Sequence, residues 1–258
     1  IMGKLGILSD MDGVIYRGNE LIPGVQHFIQ HLRETETTFL FLTNNAEQTP
    51  LDLKRKLESL GLRGIEEDNF ITASMATAAF LHQQQPRGTA YVIGGGGLIN
   101  ELYNVGFSIS ETNPDYVVVG KTSSYNFEMI KKAIRLVNNG AKLIATNPDL
   151  VDPIEDGVEP ACGALLAPIE RATGKSAYVI GKPNALIFTI AKCKLGTRAA
   201  DTLMIGDRMD TDIVGGMEVG MKTALVLSGV SSRESLCEFP YRPNYIFNSV
   251  GEIDLHQL

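Results

Sequence analysis

Four short apolar runs, each followed at once by polar residues, constrain the fold of this chain most strongly. Helical patterns separate the runs, and this alternation predicts parallel strands joined by helices. In an open parallel sheet, the functional site lies just beyond the carboxyl ends of the strands. Carboxylates, a hydroxyl and an ammonium are therefore expected to meet in one crevice. The four boundaries are Leu8-Ser9-Asp10-Met11-Asp12-Gly13, Phe41-Leu42-Thr43-Asn44-Asn45, Val179-Ile180-Gly181-Lys182-Pro183 and Met204-Ile205-Gly206-Asp207.

Strand and helix signals continue through nearly the whole chain and predict an α/β protein. The candidate catalytic residues lie in its first and last parts. We therefore expect a Rossmann-like parallel-sheet core formed by residues 1–82 and 178–258, with a second α/β domain, residues 83–177, inserted into it. A strand at Ala177–Ile180 is expected to belong to the core. In the insert, a helix around Asn126–Asn139 is expected to place Phe127, Ile130, Ile134 and Val137 on one face.

Composition narrows the possible partners. The 258 residues carry a net charge of −7 and include no tryptophan and no basic block, which disfavours binding to a nucleic-acid polymer. An acidic protein that binds phosphate needs local positive charge from a lysine or a metal. The three cysteines show no CxxC spacing, and no apolar stretch is long enough to span a membrane. We expect a reduced, cytoplasmic compartment and no membrane partner.

Asp10 and Asp12 form the most reactive pair in the sequence. Two residues apart on an extended chain, their side chains point the same way, and Gly13 allows a sharp turn directly afterwards. One carboxylate can attack phosphorus as a nucleophile and form an acyl-phosphate. The other can protonate the leaving alcohol and then deprotonate the water that hydrolyses the intermediate. The pair therefore suits phosphoryl transfer.

Several carboxylates in one crevice need a cation. Mg²⁺ prefers oxygen ligands and commonly uses one or two carboxylates together with a substrate phosphate, so Asp10, Asp207 and the carbonyl of Asp12 suit it. The Thr43 hydroxyl and the following amide could bind a phosphoryl oxygen, and Lys182 could neutralise charge in the transition state. Asp212 could orient either Lys182 or a metal-bound water.

Each motif alone also has a purely structural interpretation. A single Asp-x-Asp-Gly is usually a solvated turn, and Thr43-Asn44-Asn45 or Gly181-Lys182-Pro183 could be ordinary loop starts. Asp207 and Asp212 could simply cap the helix that follows them. The functional interpretation depends on their joint occurrence, because each motif directly follows a buried-strand signal.

Taken in order, the motifs DxDGV, a strand ending in Thr-Asn, Gly-Lys-Pro and GDRMDTD resemble those of the haloacid dehalogenase (HAD) superfamily of phosphohydrolases. The segments IATNPD at 144–149, PACGA at 160–164 and LVLSGVSS at 225–232 are similar to the NagD family. The resemblance implies a HAD core with a large α/β cap of the C2 type. It also implies a Mg²⁺-dependent phosphatase that acts on small phosphomonoesters, such as nucleoside 5′-monophosphates (UMP, for example) or sugar phosphates.

The resemblance assigns roles to individual residues. Asp10 is expected to be the nucleophile and Asp12 the general acid/base. The phosphate is expected to bind Thr43, Asn44 and Lys182, and Mg²⁺ to bind Asp10, Asp207 and the carbonyl of Asp12. The segment expected to border the site and contact substrate comprises Arg208, Met209, Asp210 and Thr211.

The inserted cap is expected to exclude water and to select the leaving group. Asn147 and Asp149 are candidates for polar contacts between cap and substrate. A tight turn in which Asn147-Pro148-Asp149 satisfies its own backbone groups is an equally good interpretation.

Two other functions stay open. In a phosphotransferase or phosphomutase, another acceptor would replace water. A phospho-acceptor signalling domain also combines acidic residues, Thr and Lys around Mg²⁺ on a parallel sheet, but it would leave the second carboxylate, Asp12, without a role. The sequence is compatible with a monomer or with a homo-oligomer formed through the cap.

Overall fold

The computed structural model describes residues 5–154 and 156–257. Its strands are, in chain order, β1 (Gly6–Ser9), β2 (Tyr16–Arg17), β3 (Glu20–Leu21), β4 (Thr38–Thr43), β5 (Phe70–Thr72), β6 (Thr89–Ile93), β7 (Ser108–Ile109), β8 (Tyr116–Val119), β9 (Lys142–Ala145), β10 (Val151–Ile154), β11 (Gly157–Pro160), β12 (Tyr178–Val179), β13 (Thr202–Gly206), β14 (Lys222–Val226) and β15 (Tyr245–Phe247).

The α-helices are α1 (Val25–Glu34), α2 (Pro50–Ser59), α3 (Ala73–Gln84), α4 (Gly96–Asn104), α5 (Phe127–Asn138), α6 (Cys162–Thr173), α7 (Ala185–Leu195) and α8 (Val214–Glu218). A π-helical turn, Met209–Ile213, leads into α8. Among the described residues, no helix has both the length and the apolar character needed to cross a membrane.

The chain divides into two compact units. The first runs up to Thr43, takes up Leu53–Ile71 and continues from Lys182 onward, and the second comprises Asn44–Asp52 and Thr72–Gly181. The second unit thus includes the whole of 83–177 and extends beyond it on both sides. The assignment of 83–177 as the inserted domain stays a prediction.

The first unit is built on a six-stranded sheet of order β15-β14-β13-β1-β4-β5. Strand β1 is central and pairs in parallel with β13 and β4, so that Ser9 lies opposite Ile205 on one side and Phe41 on the other. Helix α1 buries Val25, Phe28, Ile29 and Leu32, a spacing that gives one apolar face. This face packs in the same buried cluster as the apolar strand residues, so the fold is the predicted Rossmann-like parallel-sheet core.

The second unit has its own five-stranded sheet, of order β12-β9-β8-β6-β7, and an antiparallel hairpin, β10-β11. Its core is a separate apolar cluster that includes Val117 and Val119 of β8, Ala133 and Val137 of α5, and Ile169 of α6. It is therefore an α/β unit of the kind expected for the cap.

One local expectation is wrong. The strand before Lys182 belongs to the second sheet, not to the core, because Tyr178 and Val179 pair in parallel with Ile144 and Ala145 of β9. A short apolar run predicts a strand but contains nothing that specifies its partner. The helix expected around Asn126–Asn139 is α5, in which Ile130 and Ile134 pack on the cluster that contains Val137, while Phe127, its first residue, is 72% exposed.

Candidate active site

Three of the four predicted boundaries meet at one edge of the first sheet. Asp10 follows β1, Asp207 follows β13, and Thr43 is the last residue of β4. The backbone N–H of Asp10 donates to the carbonyl of Ile205 at 2.8 Å, which extends the pairing of β1 and β13 by one residue. Because these strands are parallel neighbours, the polar residues that follow them lie side by side, as the sequence predicts.

Lys182 reaches the same place and is almost wholly buried, with 2% of its surface exposed. Its ammonium lies 2.9 Å from Oδ1 of Asp10 and 2.7 Å from Oδ1 of Asp212. Burial alone lowers the pKa of this lysine, but the two carboxylates outweigh that effect and raise the pKa above its ordinary value. Lys182 is thus a fixed, buried positive charge that is paired with two acids.

The carboxylates outnumber this lysine. One oxygen from each of Asp10, Asp207 and Asp212 lies within 4.8 Å of the other two. Burial, followed by the charges of Asp10 and Asp212, raises the pKa of Asp207 to about 8. Burial also raises the pKa of Asp212, against the opposing influence of Lys182. Three acids facing one ammonium form an oxygen-rich, negatively charged site that fits a hard divalent cation.

Asp12 has different surroundings from Asp10. Its side chain is exposed to water, whereas Asp10 is nearly buried and accepts a hydrogen bond from the N–H of Met11 at 2.8 Å. The chain turns directly after Asp12, because Gly13 adopts a φ of 75° and donates to the carbonyl of Tyr16 at 2.8 Å. Burial and the charges of Asp12 and Asp10 together raise the pKa of Tyr16. The two aspartates thus share an edge of the sheet but differ in exposure.

Asp207 contacts a loop that lies outside the four motifs. The N–H of Val230 donates to Oδ2 of Asp207 at 2.7 Å, and the N–H of Ser231 donates to its carbonyl at 3.1 Å. Gly229 packs so closely on Asp207 that a Cβ there would lie 1.9 Å from Oδ2. The only sequence signal for this loop is its place in the segment LVLSGVSS.

Asp212 contacts Lys182, one of the two groups that it is predicted to orient. Its second oxygen, Oδ2, accepts a hydrogen bond from the N–H of Arg208 at 3.2 Å. Gly206 permits this close approach, since a Cβ there would lie 2.1 Å from the Cβ of Asp212. The π-helical turn therefore returns the chain so that Asp212 faces the residue just before Asp207.

The segment that follows Asp207 contains both exposed and buried side chains. Arg208 pairs with Asp210 at 2.9 Å, and both side chains are partly open to solvent. Met209 lies in a buried apolar cluster with Ile213, and Thr211 is also buried. A substrate contact from this segment stays a prediction, and Arg208 and Asp210 are its accessible members.

Three further candidates lie together in the second unit. The side-chain amide of Asn44 donates to Oδ2 of Asp149 at 2.9 Å. The side-chain amide of Asn147 donates to the carbonyl of Asn44 at 2.8 Å. The N–H of Asp149 donates to Oδ1 of Asn147 at 3.1 Å, as expected for the tight turn. Asn147 and Asp149 therefore contact Asn44, the residue directly after Thr43, as well as their own backbone.

Known proteins share this architecture. Residues 7–108 match the family model described as haloacid dehalogenase-like hydrolase, and residues 179–253 match a model described as HAD-hydrolase-like. The chain is 42% identical to the dihydroxyacetone phosphatase of Corynebacterium glutamicum, over 97% of this chain and 90% of that protein. It is also 42% identical to the ribonucleotide monophosphatase NagD of Escherichia coli, over 96% of this chain and 98% of that protein.

The solved structure of NagD from Escherichia coli superposes with a TM-score of 0.93 and covers 98% of this chain and 99% of that one. The two family-model matches, over residues 7–108 and 179–253, include the motifs DxDGV and GDRMDTD. The chain therefore belongs to the haloacid dehalogenase superfamily and, within it, to the NagD family of phosphatases.

Proposed function

We propose that this enzyme is a Mg²⁺-dependent phosphatase that hydrolyses small phosphomonoesters through an aspartyl-phosphate intermediate. The observation that carries the proposal is the buried Lys182, paired with Asp10 and Asp212 beside Asp207. A phosphoryl group brings negative charge that is distributed over its oxygens, and a buried ammonium can stabilise that charge in the transition state. The same cluster is rich in the oxygen ligands that a divalent cation requires.

Asp10 is the proposed nucleophile. One of its carboxylate oxygens attacks phosphorus, a new O–P bond forms, and the bond between phosphorus and the ester oxygen breaks. The contacts of Oδ1 with Lys182 and with the N–H of Met11 fix the carboxylate at the end of β1. A fixed nucleophile loses little additional freedom when the reaction begins.

Asp12 is the proposed general acid and base. It donates a proton to the leaving alcohol in the first step and accepts one from water in the second, when water attacks phosphorus and regenerates Asp10. Its exposure to water suits both transfers, because the alcohol must leave and water must enter on the same side. The buried Asp207 and Asp212 lack that access.

The remaining proposed roles concern the phosphate and the metal. Thr43, Asn44 and Lys182 bind the phosphoryl oxygens, while Asp10, Asp207 and the carbonyl of Asp12 hold Mg²⁺. When bound, Mg²⁺ neutralises charge on the phosphate and on the carboxylates. Asp212 orients Lys182, a role that its 2.7 Å contact supports.

The names of the relatives support a small phosphomonoester as the substrate, but they name different ones. One relative is named a dihydroxyacetone phosphatase and another a ribonucleotide monophosphatase, although both are 42% identical to this chain. We propose nucleoside 5′-monophosphates, such as UMP, or sugar phosphates. The cytoplasmic compartment is a further proposal, and the sequence still leaves open a monomer or a homo-oligomer formed through the cap.

The test is phosphate release from a panel of nucleotides and sugar phosphates, with and without Mg²⁺. We expect metal-dependent release that disappears in Asp10→Asn, since an amide cannot serve as the nucleophile. The matched control is Asp68→Asn, which removes a fully exposed carboxylate, and it should retain activity. Appreciable turnover by Asp10→Asn, or release that is independent of Mg²⁺, would refute the proposed mechanism. A stable phospho-aspartate without release would instead support a signalling role.

A further inference from the structure

The 228–231 loop, Ser228-Gly229-Val230-Ser231, follows β14 and contacts both the carboxylate and the backbone of Asp207. Two of its N–H groups donate to this residue, Val230 to Oδ2 at 2.7 Å and Ser231 to the carbonyl at 3.1 Å. Gly229 leaves no room on the same side of the carboxylate, because a Cβ there would lie 1.9 Å from Oδ2. The loop thus fixes the orientation of the Asp207 side chain and the position of its carboxylate.

The same loop is tied to the turn that follows Asp12. The hydroxyl of Ser228 donates to the carbonyl of Gly13 at 2.7 Å. A Cβ on Gly13 would lie 2.4 Å from Oδ2 of Asp207 and 2.9 Å from the Cα of Gly229. The turn, the loop and the carboxylate are therefore packed as one body, in which a shift of the loop must move Asp207.

The side chain of Arg17 binds the backbone of the same loop. Its guanidinium donates to the carbonyl of Ser228 and, at 3.4 Å, to that of Gly229. Arg17 is the last residue of β2, in the short antiparallel pair β2-β3, and its side chain is exposed. Because this guanidinium is exposed and donates to two backbone carbonyls of the loop, we do not expect it to touch substrate phosphate or metal.

We propose that the 228–231 loop is a positioning element for Asp207, and that Arg17 is a positioning residue that acts through this loop. The inference rests on the proposed function, in which Asp207 binds Mg²⁺. Residues that orient a metal ligand without touching the metal typically change metal affinity or activity by about 10- to 100-fold when they are replaced. The loop is expected to act in this way on Mg²⁺ affinity.

The chain offers a matched control for each position. Gly229→Ala and Gly96→Ala both introduce a methyl group where the backbone has no positive φ, but Gly96 has no heavy atom within 4 Å of the new Cβ. Arg17→Met removes an exposed guanidinium that donates to two consecutive backbone carbonyls, those of Ser228 and Gly229. Arg33→Met does the same at the carbonyls of Arg63 and Gly64. Each pair therefore differs mainly in proximity to Asp207.

The experiment measures two quantities for every variant: the Mg²⁺ concentration that produces half of the Mg²⁺-dependent rise in Tm, and the concentration that produces half-maximal activity. We expect Arg17→Met and Gly229→Ala to raise both by about tenfold, with activity recovering at saturating Mg²⁺ for Arg17→Met. Gly96→Ala and Arg33→Met should match the unmodified enzyme. Arg17→Met decides the test if Gly229→Ala does not fold.

Asp207→Asn separates this inference from the proposed function. If it weakens the response to Mg²⁺ while Arg17→Met and Gly229→Ala do not, the loop has no positioning role and the proposed metal site stands. If Asp207→Asn leaves the response unchanged, both are overturned. Equal losses in Arg17→Met and Arg33→Met would also overturn the inference, because the effect would not depend on Asp207.

Discussion

The ammonium of Lys182 lies 2.7 Å from Oδ1 of Asp212, and both side chains are almost wholly buried. Asp10 occupies the other side of the same ammonium, at 2.9 Å. Breaking a buried ion pair strongly destabilises a protein, because it leaves an unpaired charge in the interior. The pair therefore links the stability of the folded enzyme to the chemistry at Asp10.

Lys182→Met is expected to lower the free energy of unfolding by about 3–5 kcal/mol, since it leaves buried carboxylates without their cation. The measurement is urea unfolding in the presence of a chelator. Lys54→Met is the control, because it breaks a 2.6 Å pair with Glu66 at the surface and should have a much smaller effect. Equal losses in the two variants would contradict the importance of burial.

The metal-free enzyme is expected to lose stability as the pH rises from about 4 to about 8. Burial and the neighbouring acids raise the pKa of Asp207 to about 8 in the folded state, well above its ordinary value of 3.8. The folded state therefore retains a proton that the unfolded chain has lost, and this contribution is complete below about pH 4 and lost as the pH passes 8. The slope from one such group is at most about 1.4 kcal/mol per pH unit.

Asp207→Asn isolates that contribution from those of other groups. In a chelator at pH 8.5, this variant should be more stable than the unmodified enzyme, and the difference should shrink toward pH 4. With saturating Mg²⁺ the order should reverse, because the variant lacks one of the proposed ligands. Parallel pH profiles of the two proteins in the chelator would refute the raised pKa.

Asp12→Asn is expected to slow the first chemical step by roughly 10²–10⁴-fold for an alkyl phosphate, whose alcohol leaves poorly unless it is protonated. With p-nitrophenyl phosphate the first step should be affected less, because nitrophenolate leaves without a proton. Rapid-quench single-turnover kinetics with both substrates measure the difference. If the alkyl phosphate is cleaved at the unmodified rate, Asp12 is not the general acid.

Asp149→Ala is expected to raise KM by about tenfold for every substrate, together with the inhibition constant of inorganic phosphate. Asp149 contacts the side chain of Asn44, which is proposed to bind phosphate, and a hydrogen bond to a charged group contributes about 1.5–3 kcal/mol. The control is Asp152→Ala, which removes a carboxylate paired with Lys121 in the same unit. A rise in KM that is confined to one substrate would indicate instead that Asp149 contacts that substrate's leaving group.

Much of the local structure could be predicted from the sequence. The helix predicted around Asn126–Asn139 is α5, and the apolar runs before Asp10 and Asp207 are the strands β1 and β13. Each is defined by a periodic apolar pattern and a nearby turn or cap signal, and such signals depend only on neighbouring residues. The convergence of Asp10, Thr43 and Asp207 could also be predicted, because parallel strands bring their carboxyl ends to one edge.

Long-range contacts required the folded structure. Residues 178–179 have the same strand pattern whether they extend the first sheet or the second, so their pairing with β9 is absent from the local sequence. Contacts between Asp207 and Val230, or between Asn44 and Asp149, join residues that are distant along the chain, and no periodicity relates them. Element type depends on short-range burial patterns, whereas pairing and side-chain orientation depend on packing that forms only when the whole chain has folded.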